Sequence, residues 1–526
     1  MPGLSRVLIA NRGEIAIRIA RAAAGLGMES IAVYDAADQL SLHTRYATRA
    51  VQLPAASDPV SAYLNVEAII DIAKAEACDC IHPGYGFLSE NAPLAQACAA
   101  AGITFVGPEP ETLTLFGDKV SARKLALELE IPVVPGSDSA LLDSKAAAGL
   151  AAEFGYPVML KAAAGGGGRG MRAVQGADEM DEAFTRCQSE AEAAFGNGAV
   201  FIEKLVIDPQ HIEIQVLGDG AEVVHFYERD CSIQQRNQKV VEIAPAPNLD
   251  PDLRDKLLDA AITLTRACNY RNAGTVEFLL DPAQGEYYFI ECNPRIQVEH
   301  TVTEQVMGVD LVESQFRIAA GSSLAALGYS SQADVGTPRG YAIQTRVVAQ
   351  GAGTITAYKE PSGVGTRVDA HGYAGYTPPP QFDPLLAKLI CYSPSPDYQV
   401  TLERTARALA EFHIVGLATN LQQLRGILQQ ASVRKGDART TLLASLGDDA
   451  NDTTGNITLD LLSQQARLLQ GVQKTVSTLP SNSGLAVPDG EIGVEAPING
   501  NVLQLALSEG QRVAAGDTLV VISAMK

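Results

Sequence analysis

The first hundred residues alternate short apolar runs with amphipathic stretches. Apolar runs at residues 6–10 (RVLIA) and 30–34 (SIAVY) predict buried strands, and residues 15–27 carry apolar side chains at helical spacing. The alternation continues with a helix, a strand and a helix over residues 66–77, 78–82 and 91–101. This pattern predicts a parallel sheet with helices on both faces, so we expect residues 1–115 to form a Rossmann-like domain.

The pattern changes near residue 120. A helix, a proline-rich connection and another helix precede the strand YPVMLKA, and the strands after it have no helices between them: VFIEKL, HIEIQVLG and VVHFYERD. Such strands favour antiparallel sheet, which predicts an α+β domain over residues 116–334. A third domain is predicted over residues 335–446, beginning with YAIQTRVVAQ and ending with the helix DYQVTLERTARALAEF.

Polar and small residues dominate the chain after residue 446. Within a predicted linker, residues 447–487, one apolar stripe predicts an amphipathic helix. The stripe consists of Leu459, Leu462, Ala466 and Leu469. Residues 488–526 are typical of short strands separated by glycine turns. A segment of about 40 residues rarely folds unaided, so we expect poor packing there.

Charge limits the partners of the 526-residue chain, which has 61 acidic and 40 basic residues and a formal charge of −21. This charge opposes long-range attraction to nucleic acid or to an anionic membrane, and neither is expected as a partner. No apolar run approaches the ~18 residues of a membrane helix, and early charged residues interrupt any secretory signal. Eight dispersed cysteines without a CxxC pair indicate reduced thiols. We therefore expect a cytoplasmic protein.

Five glycines lie within six residues, at positions 165–168 and 170, directly after the strand that contains Lys161. Glycine lets backbone N–H groups surround phosphate oxygens without side-chain clashes, and the lysine adds positive charge. The loop matches neither the Walker A pattern nor the Rossmann fingerprint. We expect it to bind phosphate, and a flexible linker is the alternative.

Two carboxylates lie in the segment GTVEFLLDPAQGEYYFIECNPR. We expect a hairpin around DPAQG in which Leu280 pairs with Glu286. Glu277 then lies diagonal to Glu291 on the same sheet face. With Asn293, these side chains offer an all-oxygen ligand set that suits Mg²⁺ or Mn²⁺ shared with substrate phosphates. Unrelated acids on a solvated strand pair are the alternative.

The next segment, PRIQVEH, holds Arg295, Gln297, Glu299 and His300 within six residues. A guanidinium binds a planar anion through two hydrogen bonds, and a neighbouring carboxylate can remove a proton. A surface salt bridge is the ordinary alternative. The loop HPGYGF, residues 82–87, follows a predicted parallel strand, at the end where open sheets bind ligands.

Six motifs together resemble the biotin carboxylase component of biotin-dependent carboxylases, which has an ATP-grasp fold. They are IANRGEIAIRI, HPGYGFLSENA, GDKVSA, YPVMLKA with GGGGRGM, RDCSIQ with QKVVE, and ECNPRIQVEH, in order over residues 1–445. The resemblance implies a multidomain α/β and α+β protein with a Rossmann-like N-terminal domain, an ATP-grasp domain and a biotin carboxylase C-terminal domain. It implies that ATP phosphorylates bicarbonate to carboxyphosphate, whose CO₂ is captured by N1′ of biotin. A lid, assigned to residues 132–205, would protect carboxyphosphate from water.

The resemblance also implies a role for individual residues. ATP is assigned to Lys119, Lys161, Gly165, Gly166, Gly167, Gly168, Glu203, Leu205, His211 and Gln234. Mg²⁺ or Mn²⁺ is assigned to Glu277, Glu291 and Asn293. Bicarbonate and biotin are assigned to Tyr85, Lys239, Arg295, Gln297, Val298 and Arg346. The residues expected to be catalytic are Lys239, Arg295, Arg346 and Glu299. Glu299 would take the proton of bicarbonate, and Arg346 would stabilise the biotin anion.

The C-terminal segment resembles the first half of an all-β biotinyl carrier domain. EAPINGNV and SAMK match the motifs around the biotinylated lysine, which assigns covalent biotin to Lys526. This implies biotin protein ligase, the carrier domain and a carboxyltransferase domain or subunit as partners. We expect a homo-oligomer and a fragment of a longer carboxylase.

The acceptor of the carboxyl group is less directly indicated. The motif FDPLLAKLI and the short linker favour an acyl-CoA carboxylase acting on acetyl-, propionyl- or longer-chain acyl-CoA. Pyruvate and urea carboxylases, another ATP-grasp ligase and a catalytically silent scaffold paralogue are the alternatives. The scaffold is disfavoured because none of the motif residues assigned to catalysis is replaced.

Overall fold

The computed structural model of the protein describes most of the chain in two units, Met1–Asp460 and Leu461–Lys526. The described residues are 3–137, 139–162, 171–195, 198–282, 284–446, 501–505, 510–513 and 519–523. The glycine loop at 165–168, the linker at 447–487 with its predicted helix, and Lys526 lie outside them.

The first domain is built on a parallel sheet, as predicted. Its strands are β1 (Arg6–Ile9), β2 (Glu29–Tyr34), β3 (Arg49–Gln52), β4 (Cys80–His82) and β5 (Thr104–Phe105), in the order β3-β2-β1-β4-β5. The helices are α1 (Gly13–Gly25), α2 (His43–Tyr46), α3 (Pro59–Tyr63), α4 (Val66–Ala75), α5 (Ala92–Ala100) and α6 (Pro110–Gly117). Val7, Leu8 and Ile9 are all fully buried, because helices cover both faces of a parallel sheet.

A small antiparallel sheet forms the segment predicted to be the lid. Its strands are β6 (Val158–Ala162), β7 (Met171–Val174) and β8 (Val200–Lys204), in the order β7-β6-β8. Helix α7 (Lys119–Glu128) and helix α8 (Ser144–Phe154) precede these strands, and α9 (Met180–Phe195) lies between β7 and β8. Val158, Leu160 and Ile202 form part of a separate apolar core that holds this sheet together with α8 and α9.

The largest sheet has eight antiparallel strands among the described residues. They are β9 (Gln210–Asp219), β10 (Val223–Gln235), β11 (Gln238–Ala244), β12 (Arg271–Asp281), β13 (Glu286–Asn293), β14 (Tyr341–Val348), β16 (Thr366–Ala370) and β17 (Leu385–Ser393). Their order is β13-β12-β9-β10-β11-β14-β17-β16. The predicted second and third domains therefore share one sheet, joined where β11 pairs with β14 through Glu242 opposite Gln344.

Helices and a strand pair complete this unit. The helices are α10 (Pro251–Ala267), α11 (His300–Met307), α12 (Leu311–Ala319), α13 (Tyr398–Glu411), α14 (Leu421–Gln429), α15 (Ala431–Lys435) and α16 (Leu442–Leu446). Short 3₁₀ turns lie at Ala36–Asp38, Ala177–Glu179, Ala325–Leu327 and Gln332–Val335. Strand β15 (Ala357–Lys359) pairs with β18 (His413–Val415). The third region was expected to end with its long helix, α13, but β18 and α14 to α16 follow it.

The second unit contains one described strand pair, β19 (Asn501–Leu505) and β20 (Val520–Ser523), which run antiparallel with Asn501 opposite Ser523. These two strands agree with the short strands predicted near the C-terminus. Across the part of the chain that the structure describes, no helix combines the length and apolar character needed to cross a membrane.

Candidate active site

A row of charged residues crosses four neighbouring strands of the large sheet. Arg229 on β10 lies opposite Glu213 on β9, Glu213 lies opposite Glu277 on β12, and Glu277 lies opposite Glu291 on β13. Residues directly opposite one another in an antiparallel sheet share a face, so this register brings distant parts of the sequence together. We use the term charged cluster for seven residues: Arg229, Glu213, Glu277, Lys239, Glu242, Glu299 and Arg346.

Lys239, on β11, lies at the centre of the charged cluster. Its Nζ contacts Glu213 and lies 2.9 Å from Glu277 Oε1 and 2.8 Å from Glu299 Oε1. Burial alone would lower the pKa of Lys239, but the three carboxylates raise it well above its ordinary value. Lys239 is therefore a fixed cation that joins a predicted metal ligand to the predicted base.

Glu299 immediately precedes helix α11 and is fully buried. Its second oxygen accepts a hydrogen bond from Nη2 of Arg346 at 3.0 Å, and Nε of Arg346 donates to Glu242 at 2.5 Å. Burial would raise the pKa of Glu299, but the charges of Lys239, Arg346 and Arg229 lower it below its ordinary value. The pKa of Glu242 is raised, chiefly by burial. Glu299 is thus ionised at neutral pH and available to accept a proton.

The hairpin that carries the predicted metal ligands has a different register from the one predicted. Leu280 pairs with Tyr287 instead of Glu286, because Asp281 extends the ladder and itself pairs with Glu286. An irregularity between Glu277 and Phe278 then shifts the register again, so Glu277 lies directly opposite Glu291 and not diagonal to it. The prediction that both carboxylates share a face was right, but the register behind it was wrong.

The oxygens of these residues suit a divalent ion by type, but in this structure Asn293 faces both carboxylates with its amide nitrogen, while its Oδ1 accepts from Arg295. Asn293 donates its amide to Glu277 Oε1 at 2.9 Å, and its amide group also lies 3.4 Å from Glu291 Oε1. Glu291 is only half-buried, and its ion-pair contact with Lys119 is long at 3.7 Å. Carboxylate and amide oxygens are the ligands that Mg²⁺ and Mn²⁺ prefer. A different group, His211, Glu213 and Glu277, also has ligand atoms close together, and Lys239 contacts both of its glutamates.

Arg295 connects the metal-ligand residues to the first domain. Its Nη2 donates to Asn293 Oδ1 at 3.0 Å and its Nη1 to Gln297 Oε1 at 2.9 Å, and Gln297 in turn donates to Glu277 Oε1 at 3.1 Å. Nε of Arg295 donates to Glu90 Oε1 at 2.5 Å. Glu90 lies in HPGYGFLSENA but was not predicted as a site residue. The contact between Arg295 and Glu90 joins the segments PRIQVEH and HPGYGFLSENA, both of which contain residues predicted to bind substrate.

Among the described residues, those assigned to ATP fall into two groups. Nε2 of Gln234 lies 2.9 Å from Nδ1 of His211, and Nε2 of His211 lies 2.8 Å from Glu277 Oε2, so both residues adjoin the charged cluster. Lys119 adjoins it through Glu291. In the three-stranded sheet of β6, β7 and β8, Lys161 pairs with Glu203, and Leu205, just after β8, donates its backbone N–H to Pro157 O at 3.1 Å.

Tyr85 and Val298, both assigned to biotin or bicarbonate, contact a buried ion pair that sequence reasoning missed. Tyr85 donates its hydroxyl to Glu14 Oε2 at 2.7 Å, and Val298 O accepts from Nζ of Lys388 at 3.0 Å. The missed charges are Glu14, Arg229, Glu213, Glu242 and Lys388. Most of them lie inside apolar motifs such as HIEIQVLG or VVEIAPA, and a charge in such a run needs a buried partner. A single charged residue inside an apolar run was therefore the feature of the sequence that could have revealed these five residues.

Comparison with known proteins agrees with this geometry. Residues 3–113 and 344–445 match the family models for the N-terminal and C-terminal domains of biotin carboxylase, and residues 118–327 match the ATP-binding domain of the carbamoyl-phosphate synthase L chain. A solved structure of the biotin carboxylase domain dimer of Hydrogenobacter thermophilus 2-oxoglutarate carboxylase, with MgADP, ADP and bicarbonate, is 40% identical with a TM-score of 0.80. It covers 86% of this chain and 100% of that chain.

The chain belongs to the biotin carboxylase family. This biotin carboxylase is therefore an ATP-dependent ligase with the predicted mixed α/β fold, and ATP, Mg²⁺ and biotin are the cofactor set of such enzymes. The biotin carboxylase domain of a single-chain bacterial carboxylase is 45% identical, with a TM-score of 0.77, covering 85% of this chain and 98% of that one.

Several pyruvate carboxylases are among the curated relatives of this biotin carboxylase. The Staphylococcus aureus protein is 45% identical over 455 residues, which cover 84% of this chain and 39% of that protein. The chain thus spans about two fifths of that relative's length. These comparisons do not support the expected acyl-CoA acceptor and favour the pyruvate alternative.

Proposed function

We propose that this chain uses ATP and bicarbonate to carboxylate biotin, as the first half-reaction of a pyruvate carboxylase. The observation that carries the proposal is the contact of Lys239 with both Glu277 and Glu299. This contact supports a single site in which the metal ligands and the base act on the same substrate anion. If Glu277 and Glu299 had pointed into different parts of the structure, this would have argued against the reaction.

Bicarbonate is held by the side chains of Lys239, Arg295 and Gln297 and by the turn at Val298. An anion with planar geometry suits the guanidinium of Arg295, which is already oriented by Glu90 and Asn293. A bicarbonate oxygen attacks the γ-phosphorus of ATP, the bond from phosphorus to the ADP oxygen breaks, and ADP leaves with that electron pair. Holding the weak nucleophile in one orientation removes much of the entropic barrier.

Glu299 takes the proton that bicarbonate loses. Its lowered pKa in the absence of substrate keeps it ionised, with Lys239 and Arg346 as its counter-charges. When bicarbonate enters, it shares those cations and brings a second negative charge close to Glu299. Both effects raise the proton affinity of the carboxylate. Substrate binding therefore converts Glu299 into a stronger base at the moment when it is needed.

Lys119, Lys161, His211, Gln234 and the glycine loop at residues 165–168 bind ATP, with Glu203 and Leu205 at the adenine end. A divalent ion held by Glu277, Glu291 and Asn293 neutralises charge on the triphosphate. The ion pair between Lys161 and Glu203 lies in the small sheet of the lid, residues 132–205. Movement of this sheet would exclude water from carboxyphosphate.

Arg346 stabilises the enolate-like anion of biotin after N1′ loses its proton. Its guanidinium is oriented by Glu242 and Glu299, so no reorganisation is needed as the negative charge develops. Tyr85 contributes to the biotin pocket from the first domain. Carboxyphosphate breaks into CO₂ and phosphate, the released phosphate takes the N1′ proton, and the N1′ nitrogen attacks the CO₂ to form carboxybiotin. Biotin itself is carried on Lys526 of the biotinyl segment, residues 488–526, modified by biotin protein ligase.

Pyruvate is the proposed acceptor because several curated relatives of this chain are pyruvate carboxylases. A carboxyltransferase domain or subunit would complete the reaction. This chain is also proposed to form a homo-oligomer, because the biotin carboxylase domain of the 2-oxoglutarate carboxylase forms a dimer. Purification of the native assembly that contains this chain tests the acceptor. Fixation of labelled bicarbonate into pyruvate supports the proposal, and fixation into an acyl-CoA or urea contradicts it.

The half-reaction is tested by ATP cleavage with bicarbonate and free biotin. We expect ADP release that requires bicarbonate and is stimulated by biotin. Cleavage stimulated by another carboxylic acid but not by biotin would favour a different ATP-grasp ligase. Nucleotide binding without any turnover would favour the silent scaffold paralogue.

A further inference from the structure

Glu14 and Lys388 form a buried ion pair between the first domain and the large sheet. Glu14 lies in the first turn of α1 and Lys388 lies on β17, and their side chains are 1% and 0% exposed. Nζ of Lys388 lies 2.9 Å from Glu14 Oε1. A buried pair is stable only when both partners and their remaining hydrogen bonds are satisfied, so its neighbours are held closely.

Each member of the pair holds one residue of the proposed substrate site. Lys388 Nζ donates to Val298 O at 3.0 Å, next to the base Glu299. Glu14 Oε2 accepts the hydroxyl of Tyr85 at 2.7 Å, on the biotin side. The pair therefore lies in the middle of a series of contacts that begins at Val298, in what we term the bicarbonate turn, and ends at Tyr85 in the proposed biotin pocket.

The position of Lys388 in the sheet links it to a third substrate residue. Lys388 lies directly opposite Arg346 on β14, so the two side chains share one face of the sheet. A shift of Lys388 along β17 would therefore change the spacing between Arg346 and the turn at Val298. The loop of Tyr85 is fixed independently by Asn11, which donates to Pro83 O at 2.6 Å and to Tyr85 O at 2.8 Å.

We propose that Glu14 and Lys388 are positioning residues that hold the bicarbonate turn and the biotin-side tyrosine at one fixed separation. This inference rests on the function proposed above. Neither residue touches the reacting atoms, and neither transfers a proton. Their contribution is to align a base carried by one domain with a biotin pocket completed by another, because carboxyphosphate must decompose next to the N1′ nitrogen.

The test is the double variant Glu14→Gln with Lys388→Met. Neutral residues of similar size replace the whole pair, so no unpaired buried charge remains and thermal stability should stay close to that of the unchanged protein. The methionine side chain cannot donate to Val298 O, whereas the glutamine can still accept from Tyr85. We expect the KM for bicarbonate to rise about tenfold or more, because a hydrogen bond from a charged donor is lost. The KM for ATP should change little.

Glu228 and Arg254 provide a matched control. Glu228 is also fully buried, and its Oε1 lies 3.0 Å from Arg254 Nε on α10. Glu228 is the neighbour of Arg229 on β10, and successive side chains on a strand point to opposite faces, so this pair lies away from the charged cluster. Glu228→Gln with Arg254→Met should leave both KM values unchanged. An equal rise in both double variants would identify a general packing effect and contradict positioning.

Tyr85→Phe tests the other end by removing only the hydroxyl group of a partly buried side chain, and a thermal melt of this variant checks that it still folds. Loss of the hydroxyl should raise the KM for biotin and leave the KM for bicarbonate unchanged. Backbone hydrogen exchange at residues 84–87 and 297–300 gives a readout that does not depend on turnover. Faster exchange at 297–300 in the Glu14/Lys388 double variant supports the inference, even if the unchanged protein lacks bicarbonate-dependent activity and the proposed function fails. Unchanged exchange and unchanged bicarbonate KM in the folded double variant would overturn it.

Discussion

Glu299→Gln removes the proposed proton acceptor with little change in size. The glutamine keeps one carbonyl oxygen, which can accept from Lys239 or from Arg346 but not from both, because Glu299 Oε1 and Oε2 each serve one cation at 2.8 Å and 3.0 Å. A positioned general base contributes about 10²- to 10⁴-fold to rate. We therefore expect kcat for bicarbonate-dependent ATP cleavage to fall by that factor.

The same substitution should destabilise the protein only moderately. Removing one partner of a buried ion pair usually costs about 3–5 kcal/mol. The charged cluster, however, holds four carboxylates and three cations, and neutralising one carboxylate leaves equal numbers of each. The main loss is then one charge-assisted hydrogen bond, about 1.5–3 kcal/mol. A thermal melt should show a lower Tm and a single cooperative transition.

The assay compares ADP release with and without bicarbonate, alongside calorimetric measurement of ATP binding. Glu299→Gln should bind ATP normally and lose the bicarbonate-dependent rate, whereas Glu228→Gln, on the other face of the sheet, should keep it. If Glu299→Gln retains the full bicarbonate-dependent rate, another group takes the proton and the reasoning is refuted. If ATP binding is lost as well, the effect is on the whole cluster and not on the base.

Four further outcomes are expected. Glu291→Gln should raise the Mg²⁺ concentration that supports half-maximal turnover by about tenfold or more, and an unchanged Mg²⁺ titration would exclude Glu291 as a ligand. Arg346→Lys should lower biotin-stimulated turnover by about 10²-fold, since one ammonium cannot replace the oriented guanidinium, and a rate equal to the unchanged enzyme would contradict that role. Burial lowers the pKa of His43 to about 4 from 6.5, so the unfolded state binds the proton first and up to about 3 kcal/mol of stability is lost as pH falls from 6.5 to 4. Burial also lowers the pKa of His82, His225, His300 and His371, so His43→Gln should make Tm less steeply dependent on pH in that window, and an unchanged slope would contradict the contribution of His43. Gly84→Ala should destabilise by about 1–3 kcal/mol, because φ is +65° and the added Cβ would lie 3.0 Å from two side-chain atoms, whereas Gly86→Ala, with φ of +70° but open space, should cost less in the same melt.

The first sheet was predictable because its signals are local. Val7, Leu8 and Ile9 form an uninterrupted apolar strand, and Asn91 accepts the backbone N–H of Leu94 as an N-cap, as the start of a helix requires. The motif residues of the site were also found, since a contiguous segment such as ECNPRIQVEH carries several of them together.

The register of the large sheet and the partners of the site residues could not be predicted in the same way. The irregularity next to Glu277 depends on how β12 meets β13, and nothing in the residues themselves marks it. Glu242 and Arg346 meet because β11 pairs with β14, about a hundred positions along the chain. Pairing over such distances is decided by tertiary packing and not by local propensity.

The pairing of β11 with β14 has a consequence for dividing the protein into parts. Sequence matching separates the segments on either side of residue 335, yet a cut there would leave each fragment with a long hydrophobic edge of unpaired backbone groups. Neither fragment should be soluble alone, although co-expression could restore them by strand complementation. Exchange of the C-terminal region between homologues would succeed only where β11 of the recipient can form the same backbone hydrogen bonds with β14 of the incoming region.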